Sequence, residues 1–440
     1  MKNKLVQMTE GNLWVNILRF SFPLIVSNVL QIVFNMSDIA VVGRFSSAES
    51  LGAVGSTAIL VTMYTGFLIG IGGGINALVA HLYGARREED IRQSVHTAFL
   101  LSLIAGLAVF LIAEVLTRPV LLWLGTKPVF MDKAMLYLRI YFCGIPALAL
   151  YNCGNAVWSA VGNTRKPMFY LLAAGVLNVA LNLLFVIAFR WDVAGVAIAS
   201  IVAQYVSALL IVVSLFRAQT SFGLCRREMR WSRDKARRIL SLAIPAGCQN
   251  MIFALANLFI QSAVNSFDAV TVEGISAAAN ADGLVYDIMA AFYVACASFM
   301  AQNTGAGNRE RVIRSFRVSL MFSFLAGVIP GGLLILFGRP FLSLFTTDAA
   351  VADVGLTRLI IMGIAYGISS LMDCSIAASR GIGKTTVPTV IVIIGSCVYT
   401  VFPLYHTVTA LYMLYYFSWI LTGIAEYLYF RHAFRRRFQK

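Results

Sequence analysis

The chain has 440 residues, of which 59% are hydrophobic and only 12% are charged. Its mean hydropathy is +0.79. A soluble domain carries roughly 25% charged residues, because polar side chains must cover much of its surface. The composition therefore argues against a water-soluble globular domain, and it excludes a disordered chain, a collagen-like chain and a disulfide scaffold.

The net charge of +15 does not indicate a nucleic-acid partner. Lysine and arginine collect in short connectors between apolar runs, and neither a basic face nor a motif of interleaved aromatic and basic residues occurs. Six of the seven cysteines lie in apolar stretches, and no CxxC or Cys/His metal spacing is present. We therefore expect no disulfide, no zinc, no cofactor and no nucleic acid.

Twelve apolar segments are long enough to cross a membrane as helices, since a spanning helix needs about 20 mostly apolar residues. They lack the alternation of barrel strands and are about twice as long. We number them spans 1 to 12. They cover about residues 14–42, 52–80, 95–117, 135–160, 168–189 and 193–216 in the first half, and 239–264, 274–302, 314–337, 356–380, 387–405 and 409–430 in the second.

Basic residues predict the orientation of the spans. With both termini in the cytoplasm, 26 of the 35 Lys and Arg residues fall on the cytoplasmic side and 8 fall in outside connectors. The prediction is therefore a multi-pass protein with both termini cytoplasmic.

The two halves of the chain repeat each other. Pro23 and Pro245 are 222 residues apart, and Arg118–Pro119 and Arg339–Pro340 are 221 apart, as are the stretches GNTRKP and GKTTVP. Each half then has six spans, so the repeat is parallel and its axis lies along the membrane normal. The sequence predicts an all-α membrane protein of two six-helix bundles around a central cleft.

The repeat also predicts the domains. We expect an N-terminal lobe over residues 1–216, a basic cytoplasmic linker with an amphipathic helix over 217–238, and a C-terminal lobe over 239–440. Carriers of this architecture bind substrate near the bilayer midplane between the halves.

Few ionisable residues lie inside the spans, and each costs about 2.5 kcal/mol or more at the bilayer centre, so each is a functional candidate. Asp38 lies in span 1, Asn155 in span 4, and Asn178 and Asn182 share one face of span 5. Together with Ser200 they could hold a proton or a sodium ion through the carboxylate and further oxygen ligands. Alternatively, the asparagines only cross-link helices through hydrogen bonds.

Three further aspartates are candidates for a second site: Asp373 in span 10, and Asp282 and Asp287 in span 8. Glu114 and Glu426 lie near span ends and are interpreted as interfacial side chains. The run GIGGGIN over 70–76 lacks the lysine and strand context of a phosphate loop. We interpret it as a place where helices pack closely or bend.

Several stretches resemble the multidrug and toxic compound extrusion (MATE) family. They are FPLIVSNVLQIVFNMSDIAVVGRF in span 1, the GAR and GAG turns after spans 2 and 8, GNTRKP after span 4 and NVALNLLFV in span 5. The resemblance covers about residues 13–430 and is nearest to the bacterial branch related to DNA-damage-inducible and Gram-positive drug efflux members. It implies a V-shaped pair of lobes in a bacterial plasma membrane.

The resemblance implies an antiporter, not an enzyme, that exports organic cations or drugs in exchange for H⁺ or Na⁺ by alternating access. Asp38 matches the family's span 1 aspartate, and Asn155 and Asn178 match its asparagines. Asn182 stands where related members often have aspartate, which leaves the coupling ion open. Asp373 matches an aspartate of another branch, whose span 7 glutamate has no counterpart here.

Aromatic and methionine side chains could line an adaptable cleft for a lipophilic cation, although ordinary packing explains them equally well. These candidates are Phe34, Met36, Tyr151, Met289, Phe292 and Tyr293. We expect a monomer surrounded by membrane lipids, with no metal beyond a Na⁺ at Asp38.

Two other functions stay open at this point. A flippase for a lipid-linked precursor shares the architecture, but it needs a cleft rich in Arg and Lys, whereas the spans hold few cations beyond Arg19 and Arg380 near their ends. An intramembrane protease needs two facing carboxylates, whereas Asp38 and Asp373 are assigned to different lobes.

Overall fold

A computed structural model describes residues 5–398 and 407–439 of the chain. These residues form helices joined by short connections, with no β-strand among them. The α-helices, numbered in chain order, are α1 (Leu13–Phe45), α2 (Ala48–Gly84), α3 (Glu88–Trp123), α4 (Pro128–Phe142), α5 (Ile145–Ala160), α6 (Arg165–Leu183), α7 (Asp192–Phe216), α8 (Arg233–Val264), α9 (Ala269–Gly305), α10 (Arg309–Leu336), α11 (Gly338–Leu342), α12 (Ala349–Gly381), α13 (Thr386–Val392) and α14 (Val408–Phe438).

The all-α membrane fold predicted from the sequence is confirmed. Nine of the described helices are long and apolar enough to cross a membrane, and α4 with α5 makes a tenth span if the bent pair is counted once. The shorter α13 begins predicted span 11, whose last part lies outside the described residues, and α14 covers span 12. The count of twelve stays a prediction.

Span 4 differs from its prediction because it is broken. The axes of α4 and α5 meet at 45°. The break follows from Pro146 in the first turn of α5, which donates no backbone hydrogen bond and clashes with a preceding helical turn. A Cβ on Gly144 at the break would lie 1.9 Å from Gln204 Oε1, so the Gln204 side chain would have to move.

Contacts divide the described chain into two units. Unit 1 holds residues 26–251, and unit 2 holds residues 6–25 and those from 252 onward. Both α1 and α8 therefore contribute one end to each unit. The two units therefore divide α1 and α8, whereas the sequence-based division at 217–238 placed predicted spans 1 and 7 each within one lobe. The sequence-based division stays a prediction.

Residues 6–25 are held in unit 2 by apolar packing and by one arginine. The Phe20 ring meets Phe299 edge to face, with 5.6 Å between ring centroids. The Arg311 guanidinium donates hydrogen bonds to the backbone carbonyls of Met8, Glu10 and Gly11. These residues are therefore held mainly by hydrogen bonds to neutral backbone carbonyls, and the Glu10 carboxylate adds an electrostatic attraction to Arg311.

The glycine run predicted to allow close helix packing does so in unit 1. A Cβ on Gly70 would lie 2.4 Å from Gly247 Cα, and one on Gly74 would lie 2.6 Å from Ala243 Cα. Helices α2 and α8 thus meet backbone to backbone along this run, which leaves no space for even a methyl group.

The basic linker is docked on α3. It forms turns and a short 3₁₀ segment, Arg226–Glu228, and the amphipathic helix predicted here is absent between 217 and 232, all of which are described. Arg92 Nη1 is 2.8 Å from Glu228 Oε2, and Lys235 pairs with Asp90. The Ser232 backbone N–H donates to Thr97 Oγ1 at 3.2 Å.

We predict that Gly74→Ala destabilises the protein by about 1–3 kcal/mol, because the added methyl group must displace the α8 backbone. Gly55→Ala is the matched control, since a Cβ at Gly55 meets nothing within 4 Å. Thermal unfolding in detergent should show a lower midpoint for Gly74→Ala and no loss for Gly55→Ala. Equal midpoints for the two variants would contradict the packing seen here.

We also predict a pH-dependent contribution from the linker contact. The hydrogen bond from Lys235 lowers the pKa of Asp90, which precedes predicted span 3. A carboxyl group whose pKa is lowered by folding adds stability above its unfolded pKa of about 3.9, and that stability is lost as the pH falls. Lys235→Met should therefore lower the unfolding midpoint at neutral pH, by an amount that shrinks as the pH falls below about 4.

The control for this prediction is Arg314→Met. Arg314 lies 3.7 Å from Glu310 in a pair whose side chains are 64% and 83% exposed, and exposed pairs of this kind add little stability. A Lys235→Met deficit that grows on acidification, or that Arg314→Met matches in size, would show that the Lys235–Asp90 contact does not stabilise the folded state.

Candidate cation site

Asp38 lies in unit 1, on the part of α1 that follows Pro23. Its carboxylate is half-buried and accepts two hydrogen bonds. Asn182 Nδ2 on α6 donates to Oδ1, and Ser200 Oγ on α7 donates to Oδ2 at 3.2 Å. Three helices therefore converge on one carboxyl group.

Asn178 closes these contacts into a ring. Asn182 Nδ2 also donates to Asn178 Oδ1 at 3.3 Å, and Asn178 Nδ2 donates to Ser200 Oγ at 3.3 Å. The side chains of Asn178, Asn182 and Ser200 are at most 7% exposed. The i, i+4 spacing of the asparagines places both on one face of α6, as the sequence predicts.

One oxygen of the ring is left over. Asn182 Oδ1 is buried and has no hydrogen-bond partner among the described residues. An unpartnered amide oxygen in an apolar interior costs free energy unless a ligand or a donor satisfies it. Beside it stand the Asp38 carboxylate, Asn178 Oδ1 and Ser200 Oγ, and oxygens of this kind are the ligands that hard cations prefer.

The ring contains a single ionisable group. Among the described residues, no cluster of three or more His, Cys, Asp or Glu side chains is placed to hold a metal ion. One negative charge surrounded by neutral oxygens balances a singly charged ion, so a proton at the carboxylate and a sodium ion among the oxygens are both compatible with this donor set.

The backbone beside the ring is irregular. A π-helical turn, Leu184–Ala188, directly follows α6 and begins two residues after Asn182. π-helical turns are rare, and they occur frequently at functional sites. The turn lies within predicted span 5, over about residues 168–189, and the sequence analysis gave no sign of it.

The ring has an aromatic neighbourhood that the sequence analysis missed. Tyr137 and Tyr141 on α4 stack with 5.7 Å between centroids, and both interact electrostatically with Asp38. Phe34 packs against α6 at Gly175, where a Cβ would lie 1.8 Å from its ring. The i, i+4 spacing of the two tyrosines was the available signal, but it did not show that α4 faces Asp38.

Asn155, the remaining predicted member, stands apart from the ring. Its Oδ1 accepts a hydrogen bond from Ser159 Oγ at 3.4 Å on the same helix. No hydrogen bond joins it to Asp38, Asn178 or Asn182 in the described part of the chain. Its role in a cation site stays a prediction.

Asp282, predicted for a second site, is paired with a cation in unit 2. Arg358 on α12 donates to one carboxylate oxygen, and the Tyr366 hydroxyl donates to the other. Arg358 is only 7% exposed and also lies 5.0 Å from the centroid of the Tyr412 ring. Arg358 lies at the start of predicted span 10, and the sequence analysis did not identify it as a buried partner of Asp282.

Asp287 and Asp373 lie elsewhere in unit 2. Asp373 on α12 is 8% exposed, and its Oδ2 has no partner among the described residues. Asp287 is half-buried, and both carboxylates interact electrostatically with Tyr286. The three predicted aspartates therefore have different surroundings, and their joint role stays a prediction.

Four of the six residues suggested for a substrate cleft are buried within their own unit. The Tyr151 hydroxyl donates to the Pro167 carbonyl at 3.1 Å, and Phe292 stacks on Phe322 with centroids 5.6 Å apart. Met289 and Tyr293 belong to the apolar core of unit 2. Met36 is 55% exposed and Phe34 is half-buried, so these two are the accessible members of the set.

The family model described as MatE matches residues 23–184 and again residues 245–405. The chain belongs to the MatE family. The two matched segments begin 222 residues apart, at Pro23 and Pro245, which is the offset of the internal repeat. This family comprises multidrug efflux transporters of the membrane, not enzymes, so the resemblance predicted from the sequence is confirmed.

Relatives and solved structures agree with this assignment. The probable multidrug resistance protein YpnP of Bacillus subtilis is 31% identical over 316 residues, which are 70% of this chain and 69% of that protein. A FAD transporter of Shewanella oneidensis is 24% identical over 360 residues, 80% of this chain and 78% of that protein. An outward-facing multidrug resistance MATE transporter of the MOP superfamily superimposes with a TM-score of 0.91 at 21% identity over 100% of both chains.

We predict that Asp38 is energetically coupled to Asn182 and not to Asn155. Asn182→Ala leaves an Asp38 oxygen and Asn178 Oδ1 without their donor, which should cost about 1–3 kcal/mol. Residues that share one network show coupling energies of about 0.5–3 kcal/mol in double-mutant cycles. Unfolding in detergent of Asp38→Asn, Asn182→Ala and the double variant measures this coupling.

The same cycle with Asn155→Ala is the control. Asn155 contacts Ser159 rather than the ring, so its cycle with Asp38→Asn should show additive losses. Coupling of equal size in both cycles would contradict the arrangement of hydrogen bonds described above.

Proposed function

We propose that the chain is a secondary antiporter that exports lipophilic organic cations across a bacterial plasma membrane in exchange for H⁺ or Na⁺. The observation that carries the proposal is the ring around Asp38, in which a half-buried carboxylate accepts a hydrogen bond from the Asn182 amide nitrogen while the Asn182 amide oxygen is buried without a partner among the described residues. Membership of a drug efflux family supports the direction of transport.

The mechanism follows from the two charge states of Asp38. When the carboxylate is ionised and its ion site is empty, unit 1 carries a negative charge that attracts a cationic substrate. When a proton or sodium ion binds, that charge is neutralised and the attraction for the substrate falls. The two ligands therefore compete for one charge, which is the condition for exchange by alternating access.

The ring also supplies a physical link between ion binding and helix packing. Asn178 on α6 and Ser200 on α7 are hydrogen-bonded to each other, and Asp38 connects α1 to both helices. A proton on the carboxylate would turn an acceptor into a donor, and a sodium ion would displace the amide hydrogens from the oxygens. Either event requires α1 to change its contacts with α6 and α7.

The ion gradient drives such a cycle. Exchange of one H⁺ or Na⁺ for one singly charged substrate at Asp38 moves no net charge, so its driving force is the concentration gradient of the coupling ion. The membrane potential contributes only if a second ion enters for each substrate exported. One elementary charge crossing 100 mV would then add about 2.3 kcal/mol, which is about a fifty-fold concentration ratio at about 1.4 kcal/mol for each tenfold change.

The charge of the substrate is part of the proposal. The related protein of Shewanella oneidensis is named for FAD, which carries anionic phosphates. A site for such an anion, or for a lipid-linked precursor, needs unpaired cations, whereas the buried Arg358 is neutralised by Asp282. The carboxylate of Asp38 and the tyrosines beside it instead favour a cation.

We predict that Asp38→Asn abolishes gradient-driven transport. In liposomes that contain the purified protein, uptake of ethidium is followed by fluorescence, first under a pH gradient without sodium and then under a sodium gradient at equal pH. The unaltered protein should accumulate the dye under at least one gradient. Asp38→Asn should fall to the level of protein-free liposomes, because its side chain cannot alternate between charged and neutral states.

Glu114→Gln is the matched control, since Glu114 is a carboxyl group of unit 1 on α3 that contributes no hydrogen bond to the ring. It should transport at the rate of the unaltered protein. Full gradient-driven uptake by Asp38→Asn would remove Asp38 from the mechanism. Transport of FAD without transport of ethidium would overturn the proposed substrate class.

A further inference from the structure

An apolar groove with a volume of about 580 Å³ lies in unit 2 between α10, α12 and α14. Its walls are Met321 and Phe324 on α10 and Ile420 and Ile424 on α14. These four side chains are 41–55% exposed or close to it, at 50%, 47%, 41% and 47%. Exposed apolar surfaces of this kind mark contacts with membranes or apolar ligands. In a membrane transporter we therefore expect a lipid chain to cover the groove.

Two small residues of α12 form the floor of the groove. Gly367 and Ser370 both line it, and both are buried. The Ser370 hydroxyl donates to the Gly367 carbonyl at 2.7 Å, so it is already satisfied within its own helix. The small side chains give the groove its depth, and its floor suits an apolar chain better than a polar ligand.

One end of the groove carries a positive charge. Arg317 on α10 is the only charged side chain among the described residues that line the groove, and it is exposed. It lies one turn inside the start of predicted span 9, on the side that the sequence predicts to be cytoplasmic. A long basic side chain at this depth extends its charged end to the level of the lipid head groups.

A second arginine adjoins the same end of the groove. Phe316, next to Arg317 in the chain, stacks on Tyr427 of α14 with 6.2 Å between ring centroids. The guanidinium carbon of Arg431 lies 5.8 Å from the centroid of that tyrosine ring. Arg431 is exposed and directly follows predicted span 12. The Phe316–Tyr427 contact therefore brings both arginines to one end of the groove.

Neither of these two arginines has a carboxylate within the 4.0 Å of a salt bridge in the described ranges. Other arginines of unit 2 do, since Arg339 pairs with Asp353 and Arg358 with Asp282. Two exposed cations beside an apolar groove are complementary to a ligand that has both a negative head and an apolar chain.

The carboxyl group of Glu426 on α14 does not neutralise these arginines. Glu426 is 0% exposed, both of its carboxylate oxygens are buried, and it does not line the groove. The interpretation of Glu426 as an interfacial side chain is therefore wrong. The charge at the end of the groove stays positive.

The length of the groove fits one leaflet of a bilayer. From Arg317 to Phe324 the groove follows α10 for seven residues, which is about 10 Å at 1.5 Å per residue. One leaflet contributes about 15 Å of hydrocarbon, half of a core of about 30 Å. An acyl chain whose head group lies at the arginines therefore runs along the groove toward the bilayer centre.

We propose that this groove is a binding site for an anionic phospholipid of the phosphatidylglycerol class. The phosphate lies between Arg317 and Arg431, and one acyl chain fills the groove and bridges α10 and α14. Basic pockets between transmembrane helices bind anionic head groups in this way. A zwitterionic lipid presents the same phosphate, but its own cation is repelled by the two arginines, so it binds more weakly.

The test measures lipid retention by native mass spectrometry. The purified protein in detergent is mixed with equal amounts of phosphatidylglycerol and phosphatidylcholine that have identical chains. The unaltered protein should retain one phosphatidylglycerol in preference to phosphatidylcholine. The double variant Arg317→Gln/Arg431→Gln should lower that preference by about ten- to thirty-fold, because each basic residue contributes to the attraction. Ile424→Trp, which fills the groove and keeps both arginines, should lower retention of both lipids.

The matched control is Arg165→Gln. Arg165, at the start of α6, is an exposed arginine of unit 1 that does not line the groove, so its loss should leave retention unchanged. Equal retention of the two lipids, or an equal loss in Arg165→Gln and the double variant, would overturn the proposal. Full retention by Ile424→Trp would show that no chain occupies the groove. Displacement of the lipid by glycerol phosphate at equal concentration would show a site for phosphate alone.

A second measurement keeps the test valid if the charge variants fail to fold. Trp419 lines the groove and is half-buried, so bromine atoms on a bound acyl chain should quench its fluorescence. The unaltered protein is placed in vesicles with brominated phosphatidylglycerol in unlabelled phosphatidylcholine, and then with the labels exchanged. Subtraction of the Trp419→Phe signal isolates this residue. Stronger quenching by brominated phosphatidylglycerol at equal mole fraction is expected, and equal quenching by the two lipids would contradict the site.

The lipid site is independent of the antiport proposed above. It uses no residue of the Asp38 ring, and neither measurement involves transport. Loss of the Asp38 mechanism would therefore leave the lipid site intact, and failure of the lipid site would leave the Asp38 mechanism untouched.

Discussion

A carboxyl group inside apolar helices needs a hydrogen-bond donor, a counter-charge or a proton, because no water replaces the hydration that it loses. The buried carboxyl groups of this chain meet this requirement in different ways. Asp38 has donors from Asn182 and Ser200, and Asp282 has the guanidinium of Arg358. One oxygen of Asp373 and both oxygens of Glu426 are buried without a hydrogen-bond partner among the described residues.

The ion pair and the amide ring differ in what holds the carboxylate. In the Asp282–Arg358 pair, loss of either member leaves an uncompensated buried charge. In the Asp38 ring, neutral donors hold the carboxylate, and no counter-charge pairs with it among the described residues.

The repeat explains why these groups are distributed unevenly. The two halves share their scaffold, as the paired matches that begin at Pro23 and Pro245 show. Their charges do not correspond, since Asp38 aligns with Ile260 and Asp373 with Asn152 at the offsets of the repeat. Duplicated helices therefore preserve the packing, while the ionisable groups differ between the halves.

Much of this fold and part of the site could be predicted from the sequence. Long apolar runs and a constant offset between similar stretches can be read directly from the sequence, so the helices and the repeat could be predicted. The i, i+4 spacing of Asn178 and Asn182 likewise placed them on one helix face. Arg358 and Glu426 were misjudged because both lie near predicted span ends, where sequence position does not reveal which way a side chain turns. The break between α4 and α5 was not predicted, although Pro146, which interrupts the helix, is visible in the sequence.

The attachment of the chain's first residues illustrates a different kind of contact. Arg311 binds three backbone carbonyls, and none of these partners can accept a proton in the physiological range. These three hydrogen bonds therefore persist at a pH that neutralises carboxyl groups, whereas the electrostatic attraction between Glu10 and Arg311 does not. The segment before α1 thus stays hydrogen-bonded to α10 across the pH range in which carboxyl groups titrate.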